Sequence, residues 1–347
     1  MATQLHQAGF QTNLVCRPDS LLAQAAQTSK LSLFQAPFYN SLDLITVFKM
    51  LAIIRESKID LIICSTNLDI KLAGLAGKLA NIPVISRQGL ALIPNNLKYK
   101  FLIRNFTSSI ITNTRTIKEQ YEKYNWFPPN HIKVIYNGVG TNTNSSSPRI
   151  LKTQLPKDNQ DKLILSAGRL NSQKGFNYLI EAAQIAQEKK KNWQFVVLGD
   201  GEEKQRLKRL ISKYQLKNIQ LKGFYKNIQD YYACADLFVL SSLAEGTPNV
   251  VLEAMAAGCP VIATDVNGVR EVIEDQVNGW IIPPKDGKAI FQAIQNCIDQ
   301  PELLKNITTR AYQTIQCKFT IEESVHQFIE YITNIISKYE EDHHKNA

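Results

Sequence analysis

The chain has 347 residues, enough for two domains of ordinary size, each with its own core. A hydrophobic content of 44% and a charged content of 20% are typical of a globular protein and exclude a disordered one. The net charge of +9 suits nucleic acid, an anionic membrane or phosphorylated substrates. No nucleic-acid-binding motif accompanies it, so we expect no nucleic-acid partner.

The cysteines and the apolar runs give a first expectation of location. The six cysteines show no paired spacing for a metal site. The opening Met1–Gln7 lacks the charged and apolar regions of a signal peptide, and no apolar run approaches the ~20 residues that span a bilayer. These features predict a reduced, cytoplasmic protein, with peripheral contact to an anionic membrane as a further expectation from the charge.

Strand-like and helix-like stretches alternate through the first half. The predicted strands are Leu14–Cys16, Ile59–Cys64, Pro83–Ile85, Ser109–Ile111 and Lys133–Ile135. The predicted helices that precede or separate them include Asp19–Gln27, Leu42–Ser57 and Leu68–Ala80. Such alternation predicts a doubly wound α/β domain over residues 1–140.

A polar segment divides the chain. Thr141–Pro148 is small, polar and ended by proline, which is typical of a flexible linker, and we place the linker at residues 141–160. A second α/β domain is predicted over residues 161–318. Residues 319–340 are predicted to form a terminal helix.

Two basic residues flank the first loop of the second domain. Leu163–Gly168 is a predicted strand, and Arg169 and Lys174 lie between it and the next helix. Two cations beside a helix start would neutralise a diphosphate and stabilise it as a leaving group. For isolated basic residues a solvated surface position is the ordinary explanation.

Glycines mark three loops of this domain. Gly168 ends the first strand, and Gly199 and Gly201 follow the strand Phe195–Leu198. A single Gly-x-Gly is weak, because tight turns need glycine anyway. Strands at Ile219–Leu221, Leu237–Leu240, Val261–Ile262 and Trp280–Ile282 bring the predicted total to about six parallel strands.

The stretch from Ser241 to Gly258 is the most informative part of the chain. It lies between two predicted strands and contains a helix, for which Thr247 is a suitable N-cap and Pro248 a suitable first residue. Gly258 suits a left-handed residue that ends the helix. In open parallel sheets, ligands bind beyond the carboxyl ends of the strands, where this loop lies.

The free N–H groups at this helix start favour a phosphate, and Gly246 allows close approach. Glu245 and Glu253 flank that anion site with carboxylate acceptors, which suits a nucleotide-sugar with hydroxyls on either side of its phosphates. For either glutamate alone, a solvated surface position would be the better explanation.

The whole string Glu-Gly-Thr-Pro-Asn-Val-Val-Leu-Glu-Ala-Met-Ala-Ala-Gly resembles the donor-site signature of glycosyltransferase family 4. Ala-Gly-Arg-Leu followed by Lys-Gly resembles the phosphate-binding loop of that family. The resemblance implies a GT-B fold, with two Rossmann-like doubly wound parallel-sheet domains facing a cleft. It also implies a retaining enzyme that needs neither a metal nor a cofactor, with the nucleotide-diphosphate sugar as its substrate.

By position, the resemblance assigns the sugar to Glu245 and the ribose diol to Glu253. It assigns the leaving diphosphate to Arg169 and Lys174. The remaining donor-binding positions are backbone and glycine positions: Gly168, Gly199, Gly201, Gly246, Thr247, Pro248, Asn249 and Val250.

The chain departs from the family at two places. The family opens with a central strand and a glycine-rich loop, whereas Thr3–Phe10 resembles only the tail of the helix that follows them. Many relatives also carry a histidine after the strand matching Pro83–Ile85, where this chain has Arg87 and Gln88. These two residues are candidates for acceptor contact, and a solvated loop position is the alternative.

The predicted function is transfer of a hexose-type sugar from a nucleotide-diphosphate sugar to a glycan or lipid-linked acceptor, in cell-envelope polysaccharide or glycolipid synthesis. The alternative from another class is an inactive nucleotide-sugar-binding relative that lacks the first strand. A sugar-nucleotide epimerase or a phosphorylase of the same fold ranks lower, because the groups that those reactions need have no signature here.

Overall fold

The structure is a computed structural model that describes residues 1–27, 31–40, 43–141 and 161–344. The chain divides into two compact units. The first contains Met1–Tyr136 and Glu322–Ala347, and the second contains Asn137–Ile321. The predicted linker at residues 141–160 lies outside the described residues, apart from Thr141.

The first unit alternates short strands with helices. Its strands are β1 (Asn13–Cys16), β2 (Ser32–Gln35), β3 (Ile62–Cys64), β4 (Val84–Gln88), β5 (Ser109–Thr112) and β6 (Ile132–Val134). Its helices are α1 (Ala2–Gln7), α2 (Leu21–Gln27), α3 (Leu44–Glu56), α4 (Asn67–Ala80), α5 (Leu97–Phe106) and α6 (Arg115–Glu122). All described strand pairs in this unit are parallel.

These strands lie in two sheets. Strands β1 and β2 pair with each other, and β3 to β6 form a four-stranded sheet in chain order. The prediction contained no strand at Ser32–Gln35, and that omission was wrong. This strand is only four residues long and half-exposed, so it has neither a long apolar run nor a clear alternation.

The second unit has strands and helices in similar alternation. Its strands are β7 (Lys162–Ala167), β8 (Trp193–Leu198), β9 (Ile219–Gly223), β10 (Leu237–Leu240), β11 (Val261–Thr264) and β12 (Trp280–Ile282). Its helices are α7 (Phe176–Glu188), α8 (Lys204–Lys213), α9 (Ile228–Cys234), α10 (Asn249–Ala256), α11 (Gly287–Asp299) and α12 (Pro301–Lys318). Two short 3-10 helices cover Ser172–Lys174 and Asn267–Glu271.

A six-stranded, all-parallel sheet organises the described part of this unit, in the order β12-β11-β10-β7-β8-β9. All four residues of both β10 and β11 are buried, as expected for parallel strands covered by helices on both faces. The predicted mixed α/β class with parallel sheets is therefore confirmed.

The last helix, α13 (Ile321–His344), packs on the first unit. Phe328 and Ile332 join Ile85 and Ile111 of the sheet in one apolar cluster. Among the described residues, no helix combines the length and the apolar character that crossing a bilayer requires.

Candidate active site

The second sheet changes direction beside its central strand β7. After β7 the chain builds β8 and β9 on one side, and then returns to place β10 against the other side of β7. In open parallel sheets, the carboxyl ends of two such strands border the crevice in which ligands bind. The loops after β7 and β10 are the ones in which the sequence places Lys174 and Glu245.

A buried ion pair joins these two loops. Lys174 Nζ donates to Glu245 Oε1 over 2.6 Å, and the side chains are 18% and 8% exposed. The Ser242 hydroxyl also donates to Oε1, over 2.6 Å. A carboxylate is tolerated at this depth because it has both a counter-charge and a hydrogen bond. The structure thus brings together two predicted site residues that are 71 positions apart.

Several further contacts fix the loop that carries Lys174. Asn171 Oδ1 accepts from the backbone N–H of Lys174 over 3.2 Å, and the Ser241 hydroxyl donates to the Lys174 carbonyl over 2.9 Å. Gln173 Nε2 donates to the Ala244 carbonyl over 2.7 Å. Hydrogen bonds therefore fix the backbone of Lys174, and the ion pair with Glu245 fixes its ammonium.

Glycine is required next to Lys174. Gly175 has a left-handed backbone with φ of +60°, and a Cβ there would lie 2.2 Å from the carbonyl oxygen of Ser241. No side chain fits at that distance without moving the backbone. This glycine lets the β7 loop lie directly against the β10 loop.

The predicted glycines of the neighbouring loops have a similar role. A Cβ on Gly199 would lie 1.9 Å from the Gly168 carbonyl oxygen, and one on Gly201 would lie 2.4 Å from the Leu170 carbonyl oxygen. The N–H of Leu170 donates to the Asp200 carbonyl over 2.9 Å. The loops after β7 and β8 are thus in backbone contact, and their glycines permit it.

Arg169 lies in the same loop as Lys174 but in a different environment. Its side chain is 73% exposed, and its Nε lies 3.5 Å from Glu202 Oε2. An exposed pair at this distance contributes little to stability, so the guanidinium can leave Glu202 at low cost. Arg169 is not part of the buried ion pair.

The start of α10 differs by one residue from the prediction. Thr247 was expected to be the N-cap and Pro248 the first helical residue, whereas Pro248 is the N-cap and Asn249 is the first helical residue. The Pro248 carbonyl accepts from the N–H groups of Val251 and Leu252, and this acceptance of the first intrahelical bonds defines an N-cap. Gly258 has φ of +70°, in agreement with the predicted left-handed end.

The residues around this helix start are mostly buried. Gly246, Thr247 and Pro248 are buried, Val250 is half-buried and Asn249 is exposed. Asn137 Nδ2 donates to Asn249 Oδ1 over 2.9 Å. The first backbone N–H groups of α10 have no partner within the helix, as at any helix start.

Glu253 lies on α10 in a poorly solvated position. The Tyr232 hydroxyl lies 3.2 Å from Glu253 Oε2 and 3.2 Å from the Val250 carbonyl oxygen. Burial raises the pKa of the Glu253 carboxyl, and the tyrosine hydrogen bond opposes that rise only in part. The two glutamates of the motif are thus held differently, since Glu245 has a lysine counter-ion and Glu253 a phenol.

The two acceptor-side candidates lie at the end of β4, in the first unit. Gln88 is 1% exposed, and its Nε2 donates to the Ser86 hydroxyl over 2.8 Å. Its buried amide oxygen has no hydrogen-bond partner among the described residues. Arg87 is half-buried, and burial lowers the pKa of its guanidinium.

Sequence reasoning missed two residues of this site. Ser242 lies inside the quoted stretch but received no role, although a hydroxyl three residues before a buried acid is a candidate partner for it. Tyr232 is 21 residues before Glu253, and no local pattern relates the two. Only the packing of α9 near α10 brings the phenol to the carboxylate.

The chain matches two family models and a set of curated relatives. The family model described as Glycosyltransferase Family 4 matches residues 1–143, and the one described as Glycosyl transferases group 1 matches residues 149–314. An uncharacterized glycosyltransferase of Methanocaldococcus jannaschii is 32% identical over 67% of this chain and 62% of its own length. The lipopolysaccharide core biosynthesis glycosyltransferase LpsE of Rhizobium meliloti is 28% identical over 70% of this chain and 67% of its own length. The chain spans from about half to two thirds of the length of such curated relatives.

Solved structures give the fold. HepE of Anabaena, crystallised in complex with UDP, has a TM-score of 0.82 and 22% identity, covering 92% of this chain and 91% of its own. This likeness agrees with the predicted GT-B fold. Because the two family models match nearly the whole chain between them, and the curated relatives are glycosyltransferases, the chain belongs to glycosyltransferase family 4.

Proposed function

We propose that this protein is a retaining, metal-independent glycosyltransferase that moves a hexose-type sugar from a nucleotide-diphosphate sugar to a glycan or lipid-linked acceptor. The observation that supports it most is the ion pair between Lys174 and Glu245, which joins the loops after β7 and β10 where the sheet changes direction. That crevice is where a nucleotide is expected in an open parallel sheet.

The leaving diphosphate is assigned to two cations. The ammonium of Lys174 has three N–H donors and gives one to Glu245, which leaves two for phosphate oxygens. Arg169 can leave its exposed contact with Glu202 and add a second positive charge. Together they would stabilise the negative charge that develops as the diphosphate departs.

The donor's hydroxyls are assigned to the two glutamates. Glu245 would accept from the transferred sugar through its second oxygen, Oε2, and Glu253 would accept from the ribose diol. Backbone N–H groups between Gly246 and Val250 would bind the phosphates at the start of α10. The glycine loops at Gly168, Gly199 and Gly201 would lie against the nucleotide.

The reaction needs no group beyond substrate and protein. The acceptor hydroxyl oxygen forms a bond to the anomeric carbon of the sugar while the bond from that carbon to the phosphate oxygen breaks. The diphosphate leaves with the bonding electron pair and takes the acceptor's proton. Attack on the face from which the phosphate departs retains the anomeric configuration. We assign acceptor contact to Arg87 and to the unpaired amide oxygen of Gln88 in the first unit.

The relatives suggest the first donor and acceptor to test. LpsE is named for lipopolysaccharide core biosynthesis, and two structures of HepE contain UDP with glucose or UDP-glucose. We therefore propose a uridine nucleotide as donor and an envelope glycan or glycolipid as acceptor. The net charge of +9 is the reason to propose peripheral contact with an anionic membrane as well.

Calorimetric titration with UDP and with UDP-glucose tests the donor site. Replacing Lys174 with methionine should weaken binding of both by roughly ten- to hundredfold, because a charge-assisted hydrogen bond contributes about 1.5–3 kcal/mol. The control is Lys305→Met, which removes the same charge from an exposed position on α12. Equal affinities for the wild type and Lys174→Met would place the diphosphate elsewhere.

A further inference from the structure

An exposed apolar surface lies on the first unit, after β4. It consists of the loop at residues 89–96 and the helix α5, and we call it the β4–α5 surface. Leu90 and Leu92 in the loop are 44% and 53% exposed, and Leu97 and Phe101 on the helix are 83% and 60% exposed. Four large apolar side chains exposed within twelve residues make this surface a candidate for binding a partner.

The loop is held in place with its leucines outward. Ile93 is 1% exposed in the core, and its carbonyl accepts from the Tyr124 hydroxyl over 3.1 Å. Asn67 Nδ2 donates to the Leu92 carbonyl over 3.0 Å, and Trp126 Nε1 donates to Asn95 Oδ1 over 2.8 Å. Because Ile93 anchors the loop from within, the exposure of its neighbours is built into the fold.

Helix α5 has the pattern of a helix that lies in a membrane interface. Leu97 and Phe101 are four residues apart and lie on one face, whereas Ile103 is fully buried. Basic side chains accompany the apolar face: Lys98 and Arg104 are exposed, and Lys100 is half-buried. An apolar stripe bordered by Lys and Arg is typical of helices bound at the surface of an anionic bilayer.

The surrounding sequence contains no opposing charge. From Ile70 to Lys118 inclusive there is no Asp or Glu, while eight Lys and Arg residues occur there. Lipid phosphates present only negative charge and need only cations opposite them, and the apolar side chains beside these cations suit the acyl chains below the headgroups. This one-sided charge favours an anionic bilayer as the occupant.

We propose that the β4–α5 surface binds an anionic lipid bilayer. Leu97 and Phe101 enter the boundary between headgroups and acyl chains, and Lys98, Lys100 and Arg104 face the lipid phosphates. The inference rests on the proposed function only in that it locates the membrane contact proposed there. It depends on none of the donor-site residues.

Co-sedimentation with vesicles tests the surface without any nucleotide. The full chain should bind vesicles of 30% phosphatidylglycerol in phosphatidylcholine, and binding should fall steeply in 0.5 M salt because the charges are screened. Pure phosphatidylcholine should bind it far more weakly. Absence of binding to anionic vesicles at low salt would overturn the proposal.

Two pairs of variants localise the contact. Neutralising Lys98, Lys100 and Arg104 to glutamine should weaken partitioning roughly a hundredfold. The charge-matched control is glutamine at Lys208, Arg209 and Lys213, exposed positions of the basic helix α8, which should change it much less. Equal losses in both triple variants would mean that only the total charge matters, and would overturn the assignment to this surface.

The apolar part has its own matched control. Serine at Leu97 and Phe101 should weaken partitioning roughly tenfold or more. Serine at Leu44 and Phe48, an exposed Leu and Phe with the same spacing on α3, should leave it within a factor of two or three. Far-ultraviolet circular dichroism and thermal melting should change little in all variants, because every replaced side chain is exposed except that of Lys100, which is half-buried.

The remaining outcomes also decide between explanations. If the chain self-associates in solution, and serine at Leu97 and Phe101 abolishes that association but not vesicle binding, the surface is a contact between copies and the proposal is wrong. If UDP fails to bind while vesicle binding follows the expected pattern, the donor-site proposal fails and the membrane surface stands.

Discussion

The ion pair between Lys174 and Glu245 makes a quantitative prediction about stability. Replacing Lys174 with methionine leaves the Glu245 carboxylate, which is 8% exposed, with the Ser242 hydroxyl as its one side-chain hydrogen-bond donor among the residues that the structure describes. Breaking a fully buried pair costs about 3–5 kcal/mol. Because Lys174 keeps 18% of its side chain in solvent, we expect a loss of about 2–3 kcal/mol in the free energy of unfolding of the second unit.

A double-mutant cycle separates the pair from the two side chains. Glu245→Gln alone should also destabilise, but the double variant Lys174→Met with Glu245→Gln should cost less than the two single changes added together. The expected coupling energy is about 1.5–3 kcal/mol. The control cycle is Lys204 with Asp200, which has the same 2.6 Å separation but side chains 30% and 53% exposed. Its coupling should stay below about 1 kcal/mol.

The assay must report on the second unit alone. Trp193 and Trp280 belong to it and Trp126 to the first unit, so a Trp126→Phe background makes tryptophan fluorescence specific to the second unit. Urea unfolding in that background, without ligand, gives each free energy. Additive single effects, within about 0.5 kcal/mol, would refute the idea that burial makes this pair strong.

Three further predictions follow from other contacts. Glu253→Gln should stabilise the empty protein at neutral pH, because burial raises the pKa of the carboxyl and its ionisation therefore costs the folded state more than the unfolded one. Thermal melts should show that the gain in melting temperature over the wild type fades as the pH falls through the raised pKa, where the native carboxyl becomes protonated. Gly175→Ala should lower the urea midpoint far more than Gly258→Ala, since both glycines have a left-handed backbone but only the first would place a Cβ 2.2 Å from the Ser241 carbonyl oxygen, whereas the second faces open space. Phe328→Ala should destabilise the first unit by about 3–5 kcal/mol, measured by urea unfolding, because the ring is fully buried between α13 and the sheet.

Local patterns were enough to predict most elements of the second unit. Leu237–Leu240 and Val261–Ala263 are short, continuous apolar runs, and both lie in fully buried parallel strands. The first unit was harder to predict, because β2 is short and half-exposed. The separation of its strands into two sheets was not predictable either, since strand pairing depends on residues far apart in sequence.

The site shows the same division between local and long-range information. The sequence motif selects Lys174 and Glu245 as candidates, because each lies in a loop at the carboxyl end of a strand. Their contact depends on β10 lying beside β7, which the spacing of 71 residues does not reveal. The one-residue error at the start of α10 has a local cause: proline is suited to the first helical position, but here its carbonyl starts the hydrogen-bond series.

The two glutamates of the motif show how one short segment can hold two carboxylates in different environments. Glu245 is paired with Lys174 before any ligand arrives, and this pair joins its loop to the loop after β7. Glu253 has no such cation among its described contacts, and burial makes its charge costly. A ribose diol that donates two hydroxyl hydrogen bonds to that carboxylate would offset the cost of burying its charge. That part of the cost would then contribute to the free energy of nucleotide binding. On this reasoning Glu253→Gln should stabilise the empty protein and weaken nucleotide binding, whereas Glu245→Gln should lower the stability of the empty protein.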